Sequence, residues 1–414
     1  MKVAIKQSAM PASTTTQDFT DTGFASDVKL FMPYLTRATA NDTIANDWTQ
    51  CVGAYDNTRQ WCLSIHEDHN RITSTLTDSR DFLTNAACMA DTITTTSIAE
   101  GAASNLSTGG RITWSDIDNL ELVNGLLLGG SDVEASVVHG TLNGTTPVSV
   151  THNLSGAPDV IIAYTMGAAE AGTTAQRWSQ GFYDVASNTY VCNVQRSSSG
   201  DPTTIIDQAI YTTYVAASIT ATLVWGVTLS SIGSTTFSMA ASAASTAEVY
   251  FICLKVTGGA FKVGTFLTKT TTGTQADISG MSAAPALVMY LPSFLTSANG
   301  LDTIIAATTC ESTGLGVAVN NGGSTEYGTI AMFNNDGTTL GNTSCKCVTS
   351  NTKAGFIFGG GGALAVDWNI NSWDSGGITN NYVTADATAR YVGYLAIAPT
   401  AAAALDPIRL VWRK

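Results

Sequence analysis

Hydrophobic and polar positions in this chain alternate over short stretches far more often than they cycle with a helical period. Lys2-Val3-Ala4-Ile5-Lys6 reads as a strand with two different faces. Later apolar runs are equally short. They are separated by turn clusters such as Ser197-Ser198-Ser199-Gly200-Asp201-Pro202, Asn320-Asn321-Gly322-Gly323 and Asn334-Asn335-Asp336-Gly337. Asn335-Asp336-Gly337, between Thr329–Phe333 and Thr338–Leu340, predicts a hairpin. The best helical candidate is Asp78 to Ala90, read as a short insertion over one sheet. The pattern predicts an all-β protein.

The same order of signals recurs. Residues 2–35, 138–164 and 262–294 each run strand, Thr-rich turn, alternating strand, small-residue corner and apolar strand. The closing strands are Val28 to Tyr34, Val160 to Tyr164 and Leu287 to Leu291. Gln60-Trp61-Cys62 matches Tyr190-Val191-Cys192, and Trp114, Trp225 and Trp368 each fall on a predicted strand. Val133–Val138, Ala247–Ile252 and Ala389–Leu395 are read as the last strands of their copies. A period of about 130 residues is too long for a solenoid and suits an independently cored β-sandwich. Three tandem diverged sandwiches, jelly-roll-like, are expected at 1–136, 137–260 and 261–414, the last with a C-terminal tail. Their arrangement is read as either a pseudo-threefold body or a linear rod.

Composition agrees with this pattern. Of 414 residues only 12% are charged, about half the usual share, while 44% are hydrophobic. Thr, Ser, Ala, Gly and Asn take the place of charge, as outward strand positions and turns favour. A net charge of −13 argues against a phosphate-tracking surface. No run reaches the roughly 20 apolar residues of a membrane helix. No secretory signal is read at Met1, so the expectation is a protein that stays in the cytoplasm or leaves it inside a particle.

Candidate chemistry is sparse. His66-Glu67-Asp68-His69 could ligate a divalent cation, but the other copies carry Gln195-Arg196-Ser197-Ser198 and Asn320-Asn321-Gly322-Gly323 there, so a solvated turn is the preferred reading. His139 and His152 fall outside any constellation. Gly359–Gly362 lacks the Lys-Ser/Thr of a phosphate loop and is read as a β-edge or bulge. Cysteines 51, 62, 88, 192, 253, 310, 345 and 347 form no CxxC pair and are read as reduced and buried, with disulfides the alternative. Trp48, Trp61, Trp178, Trp373, Tyr55, Tyr183 and Tyr327 would be sugar platforms if exposed, though core packing is the plainer reading. No catalytic, cofactor-binding or metal residue is assigned, and no cofactor is expected. A polysaccharide depolymerase would need two carboxylates about 5–10 Å apart.

Val148-Ser149-Val150-Thr151-His152-Asn153-Leu154-Ser155-Gly156-Ala157-Pro158-Asp159-Val160-Ile161-Ile162 resembles a Gly-Phe-x-Pro corner module common in structural proteins of tailed bacteriophages. Pro158 and Pro285 keep the proline, and Gly23-Phe24 keeps the other half of the corner. The resemblance implies a small β-sandwich of a tail fibre, tail tip or head decoration. It implies a non-enzymatic virion protein, a decoration or cement component on the capsid or tail, with major capsid or tail proteins as partners. The alternative is a tail-fibre or tail-tip receptor-binding protein that adheres to host-surface glycan. Nucleic acid and membrane insertion are not expected, and association between copies is left open.

Overall fold

A computed structural model of the chain describes residues 1–67, 79–91, 97–117, 121–167, 175–198, 206–220, 222–307, 311–322, 324–335 and 344–399. No helix occurs among them. The first unit comprises β1 (Lys2–Ala9), β2 (Thr16–Thr20), β3 (Val28–Leu35), β4 (Ala45–Asn46), β5 (Trp48–Tyr55), β6 (Gln60–Glu67), β7 (Ser79–Leu83), β8 (Cys88–Asp91), β9 (Ser97–Leu106), β10 (Gly109–Asp116) and β11 (Leu122–Gly129). The second comprises β12 (Val133–Thr141), β13 (Val148–Thr151), β14 (Val160–Thr165), β15 (Ala175–Asp184), β16 (Thr189–Ser198), β17 (Ile206–Tyr211), β18 (Ala216–Ile219), β19 (Leu223–Ser230), β20 (Thr236–Ala241) and β21 (Glu248–Val256). The third comprises β22 (Ala260–Leu267), β23 (Gly273–Ile278), β24 (Leu287–Thr296), β25 (Ile305–Ala307), β26 (Glu311–Asn321), β27 (Ser324–Asn335), β28 (Ser344–Ser350), β29 (Gly355–Phe358), β30 (Leu364–Asp374), β31 (Gly377–Thr384) and β32 (Arg390–Ala398).

Each unit is a large antiparallel sheet packed on a four-stranded one. The large sheets run β1-β11-β3-β5-β6-β7, β12-β21-β14-β15-β16-β17-β25 and β22-β32-β24-β26-β27-β28-β4. The small ones run β2-β10-β9-β8, β13-β20-β19-β18 and β23-β31-β30-β29. Two short strands cross between units: β4 of the first extends the third unit's sheet beyond β28, and β25 of the third extends the second unit's sheet beyond β17.

The large sheets are buried on both faces, which explains their near-continuous apolar strands. Phe31 and Leu35 of β3 face the first sandwich's own interior, whereas Leu30, Met32 and Tyr34 enter a core common to all three units. Val160, Ile162 and Tyr164 of β14 and Leu287, Met289 and Leu291 of β24 enter that same core. Contacts between units are cyclic. β1 lies over β26 and β27, β22 over β15 and β16, and β12 over β3 and β6.

One backbone crossing recurs. A Cβ at Gly53, Gly181 or Gly316 would lie 1.7, 2.1 or 2.0 Å from the carbonyl oxygen of Ala87, Val215 or Ala354 respectively. Those crossing residues donate their amides to the small sheet, at Gly101 O (2.9 Å), Val227 O (2.9 Å) and Trp368 O (2.8 Å). Only glycine permits so close an approach.

Several expectations change. Asp78 to Ala90 forms no helix over its described part: Ser79–Leu83 and Cys88–Asp91 are strands, and Ala86 to Met89 are buried between the sheets. Tertiary pairing outweighs the weak helical pattern there. The division at 136/137 falls inside β12, because Val133–Thr141 pairs with β21 and opens the second unit; β11 closes the first. The later division moves slightly too, since β22 begins at Ala260. Trp114 stands on β10, whereas Trp225 and Trp368 stand on β19 and β30. Each ring fills its own sandwich, but from different strands. A Cβ at Gly101 of β9 would lie 3.0 Å from the Trp114 ring, so the glycine makes that room. Of the Asn335-Asp336-Gly337 turn, positions 336 and 337 lie outside the described residues, as do 338–340.

Candidate functional site

The junction where β12 of the second unit meets the first carries a cleft. It starts from the β5–β6 hairpin. Asp56 Oδ1 accepts the Thr58 amide (2.9 Å), the Thr58 hydroxyl (2.8 Å) and the Arg59 amide (2.7 Å), while Asn57 takes a left-handed φ of 80°. This is the local geometry a short Asp-led turn favours. Asp56 Oδ2 accepts the Val137 amide of β12 at 2.7 Å, so one carboxylate both shapes the turn and ties two units together. Arg59 then reaches across to the second unit, donating to Thr151 O (3.4 Å) and Asn153 Oδ1 (3.0 Å).

Thr58, Arg59, Gln60, Trp61, Thr84, Val137 and His139 line a half-open cleft of about 280 Å³. Beside it Tyr250 packs on His139 (ring centroids 5.7 Å, nearly parallel), Trp61 (5.5 Å) and Phe82 (5.8 Å). Glu248 Oε2 accepts the Tyr250 hydroxyl at 2.8 Å and lies 3.5 Å from His139 Nδ1. Gln60 is held in place by the Ala103 amide, which donates to its Oε1 at 2.8 Å. The buried Trp61 indole N–H has no acceptor among the described residues. Chemically the cleft offers an apolar wall, two threonine hydroxyls, an imidazole and a guanidinium.

The other candidates are placed differently. His66 is buried on β6 with Nδ1 2.9 Å from Thr49 Oγ1, so it belongs to a strand and not to a solvated turn. Asp68 and His69 lie outside the described residues, as does the side chain of Glu67. In register, Cys62 opposes Gly53, Cys192 opposes Gly181 and Thr329 opposes Gly316. His66 therefore corresponds to Arg196 and Phe333, and not to a residue of Asn320–Gly323. Among the described residues no three His, Cys, Asp or Glu side chains are grouped to hold a metal ion. Gly359–Gly362 forms the turn between β29 and β30, with positive φ at Gly361 (83°) and Gly362 (70°). It is a hairpin turn, not an edge approached by another backbone.

Trp61, Trp178 and Tyr183 are buried. Tyr55, Tyr327 and Trp373 are half-buried, with Trp373 Nε1 donating to Thr325 Oγ1 at 3.0 Å. The side chain of Trp48 lies outside the described residues. Cys51, Cys62, Cys88, Cys192, Cys253, Cys345 and Cys347 are buried and form no disulfide among the described residues, and Cys310 lies outside the described residues. Burial pushes the Cys192 and Cys347 thiols up to about 12. His152 is buried against Phe237, with its Nε2 3.2 Å from Gly233 O, and burial lowers its pKa. Arg59, His139 and Tyr250 come together from three distant segments, and no sequence signal links them.

No protein-family model matches the chain, and no curated protein matches it.

Proposed function

We propose that the protein is a non-enzymatic structural component of a bacteriophage virion, a decoration or cement subunit on the outer surface of the capsid or tail. The observation that carries this reading is the core common to three sandwiches, interlocked by β4 and β25. A chain built this way behaves as one rigid body and presents three related outer faces. Such a pseudo-threefold body suits a local threefold position, where one chain does the work of a homotrimer. The Gly-Phe-x-Pro-like corner and the low-charge surface point to virion proteins. The partners are then the major capsid or tail proteins. Immunogold labelling of intact particles, with co-sedimentation of purified protein and assembled capsids or tails, tests the reading. Labelled particles and saturable co-sedimentation are expected; unlabelled particles with no co-sedimentation overturn it.

A second reading, a tail-fibre or tail-tip protein that binds host-surface glycan, draws support from the cleft between the first and second units. Its lining brings hydroxyl, imidazole and guanidinium groups together over a buried apolar floor, a combination that can hold a sugar.

A further inference from the structure

We propose that the cleft at Arg59, Trp61, Thr84 and His139 binds one pyranose unit bearing a carboxylate, such as a uronic acid of a surface polysaccharide. Arg59 carries the argument. A guanidinium has five N–H donors, and among the described residues Arg59 donates only to a carbonyl at 3.4 Å and a side-chain amide oxygen at 3.0 Å. No carboxylate among the described residues forms an ion pair with it, although the chain's net charge is −13. The nearby Asp56 carboxylate is no competitor, because the Thr58, Arg59 and Val137 amides and the Thr58 hydroxyl already occupy its oxygens. Glu248 is engaged by the Tyr250 hydroxyl. An anchored cation with free donors recognises a planar carboxylate in bidentate fashion.

The remaining walls suit the rest of a sugar ring. Thr84 supplies a hydroxyl that both donates and accepts, and Thr58, whose proton goes to Asp56, still offers an acceptor oxygen. Val137 and Trp61, both buried, form the floor beneath the cleft, and the half-exposed His139, held flat against Tyr250, is the ring a sugar would meet. The volume of about 280 Å³ is enough for a single ring, and the cleft is half open to solvent. The corresponding junction between the first and third units cannot do this. There the position of Arg59 is taken by Glu326, whose carboxylate already pairs with Lys6 at 2.9 Å.

The inference does not rest on the virion reading, and particle labelling and sugar binding fail independently. The test titrates the full-length protein with glucuronic acid, its methyl ester and glucose, followed by saturation-transfer NMR. Saturable binding of glucuronic acid is expected, with the ester and glucose at least about tenfold weaker. Arg59→Gln should lose about tenfold or more, Arg59→Lys should restore only part of it, and Thr84→Val should weaken binding without changing the melting temperature. Equal binding of acid and ester, no binding of the acid, or an Arg59→Gln protein that is folded and binds normally each overturns the proposal.

Discussion

Two junctions of this molecule share a frame and differ in what fills it. Where the first unit lies on the third, the Ile5 amide donates to Glu326 Oε2 at 2.8 Å. Where the second lies on the first, the Val137 amide donates to Asp56 Oδ2 at 2.7 Å. Ile5 and Val137 hold the same register, opposite Leu126 and Ile252 of the closing strands. A carboxylate from the neighbour's hairpin region thus captures the same main-chain amide twice. Around it the chemistry diverges. The first–third junction is sealed by polar groups: Lys6 bridges Asp21 (2.7 Å) and Glu326 (2.9 Å), and Gln7 donates to Asn124 (2.9 Å). The first–second junction is aromatic and open, with Trp61 against Tyr164 and Tyr250. Trp61 opposes Ala54 in register, and the corresponding residue of the third unit is Gly328, opposite Val317. Position along the strands is therefore set by the main chain, and side-chain volume decides whether a junction closes or leaves a cleft.

Trp61→Ala should have the largest effect. Removing a fully buried indole from the common core should cost about 3–5 kcal/mol in urea denaturation. Because that core spans three units, the whole transition should shift as one; a separate early transition would mean that the units unfold independently. Next comes Gly328→Ala, whose Cβ would lie 2.4 Å from the Tyr34 hydroxyl and 2.9 Å from Ile5. Overpacking of this kind should cost about 1–3 kcal/mol, and a neutral result would show that the sealed junction has slack. Tyr34→Phe removes the buried hydrogen bond to Gly328 O (2.8 Å), for about 1 kcal/mol in the same measurement.

The smallest effect at the sealed junction depends on pH. Burial pushes the Asp21 carboxyl up, but its hydrogen bonds with Lys6 and the Gly23 amide outweigh that and hold it below its ordinary 3.8. A depressed folded-state value contributes stability above 3.8 that is lost as pH falls through it. Asp21→Asn should therefore be less stable than the parent near neutrality, and the gap should shrink in acid. Denaturation curves at about pH 6 and pH 3 check this, and a gap that is constant or wider in acid would remove Asp21 from the seal. Arg59→Gln, at the open junction, should leave stability within about 0.5 kcal/mol in either condition.

Much of the scaffold was legible in the chain. Val28 to Tyr34, Val160 to Tyr164 and Leu287 to Leu291 fall on equivalent central strands, because strands buried on both faces must be apolar throughout. The recurrence of Gly53, Gly181 and Gly316 is not legible in the chain, since a lone glycine in a strand signals close approach without naming what approaches. Trp114 misled for a related reason: an indole fills a sandwich equally well from β10 or from β30, so a shared tryptophan need not mark a shared position. Val133–Val138 looked like a closing strand because first and last strands pair with each other and carry the same alternation.

Alternation, turn chemistry and low charge by themselves determined an all-β chain with recurring sandwich grammar. Those are local properties, written in neighbouring residues. Tertiary structure alone decided that the three cores merge, that β4 and β25 serve their neighbours' sheets, and that Arg59, Trp61 and His139 share a cleft. Such contacts join segments tens to hundreds of residues apart. They depend on which sheet edge is free and on how much volume each junction leaves, and neither quantity is carried by any short stretch of sequence.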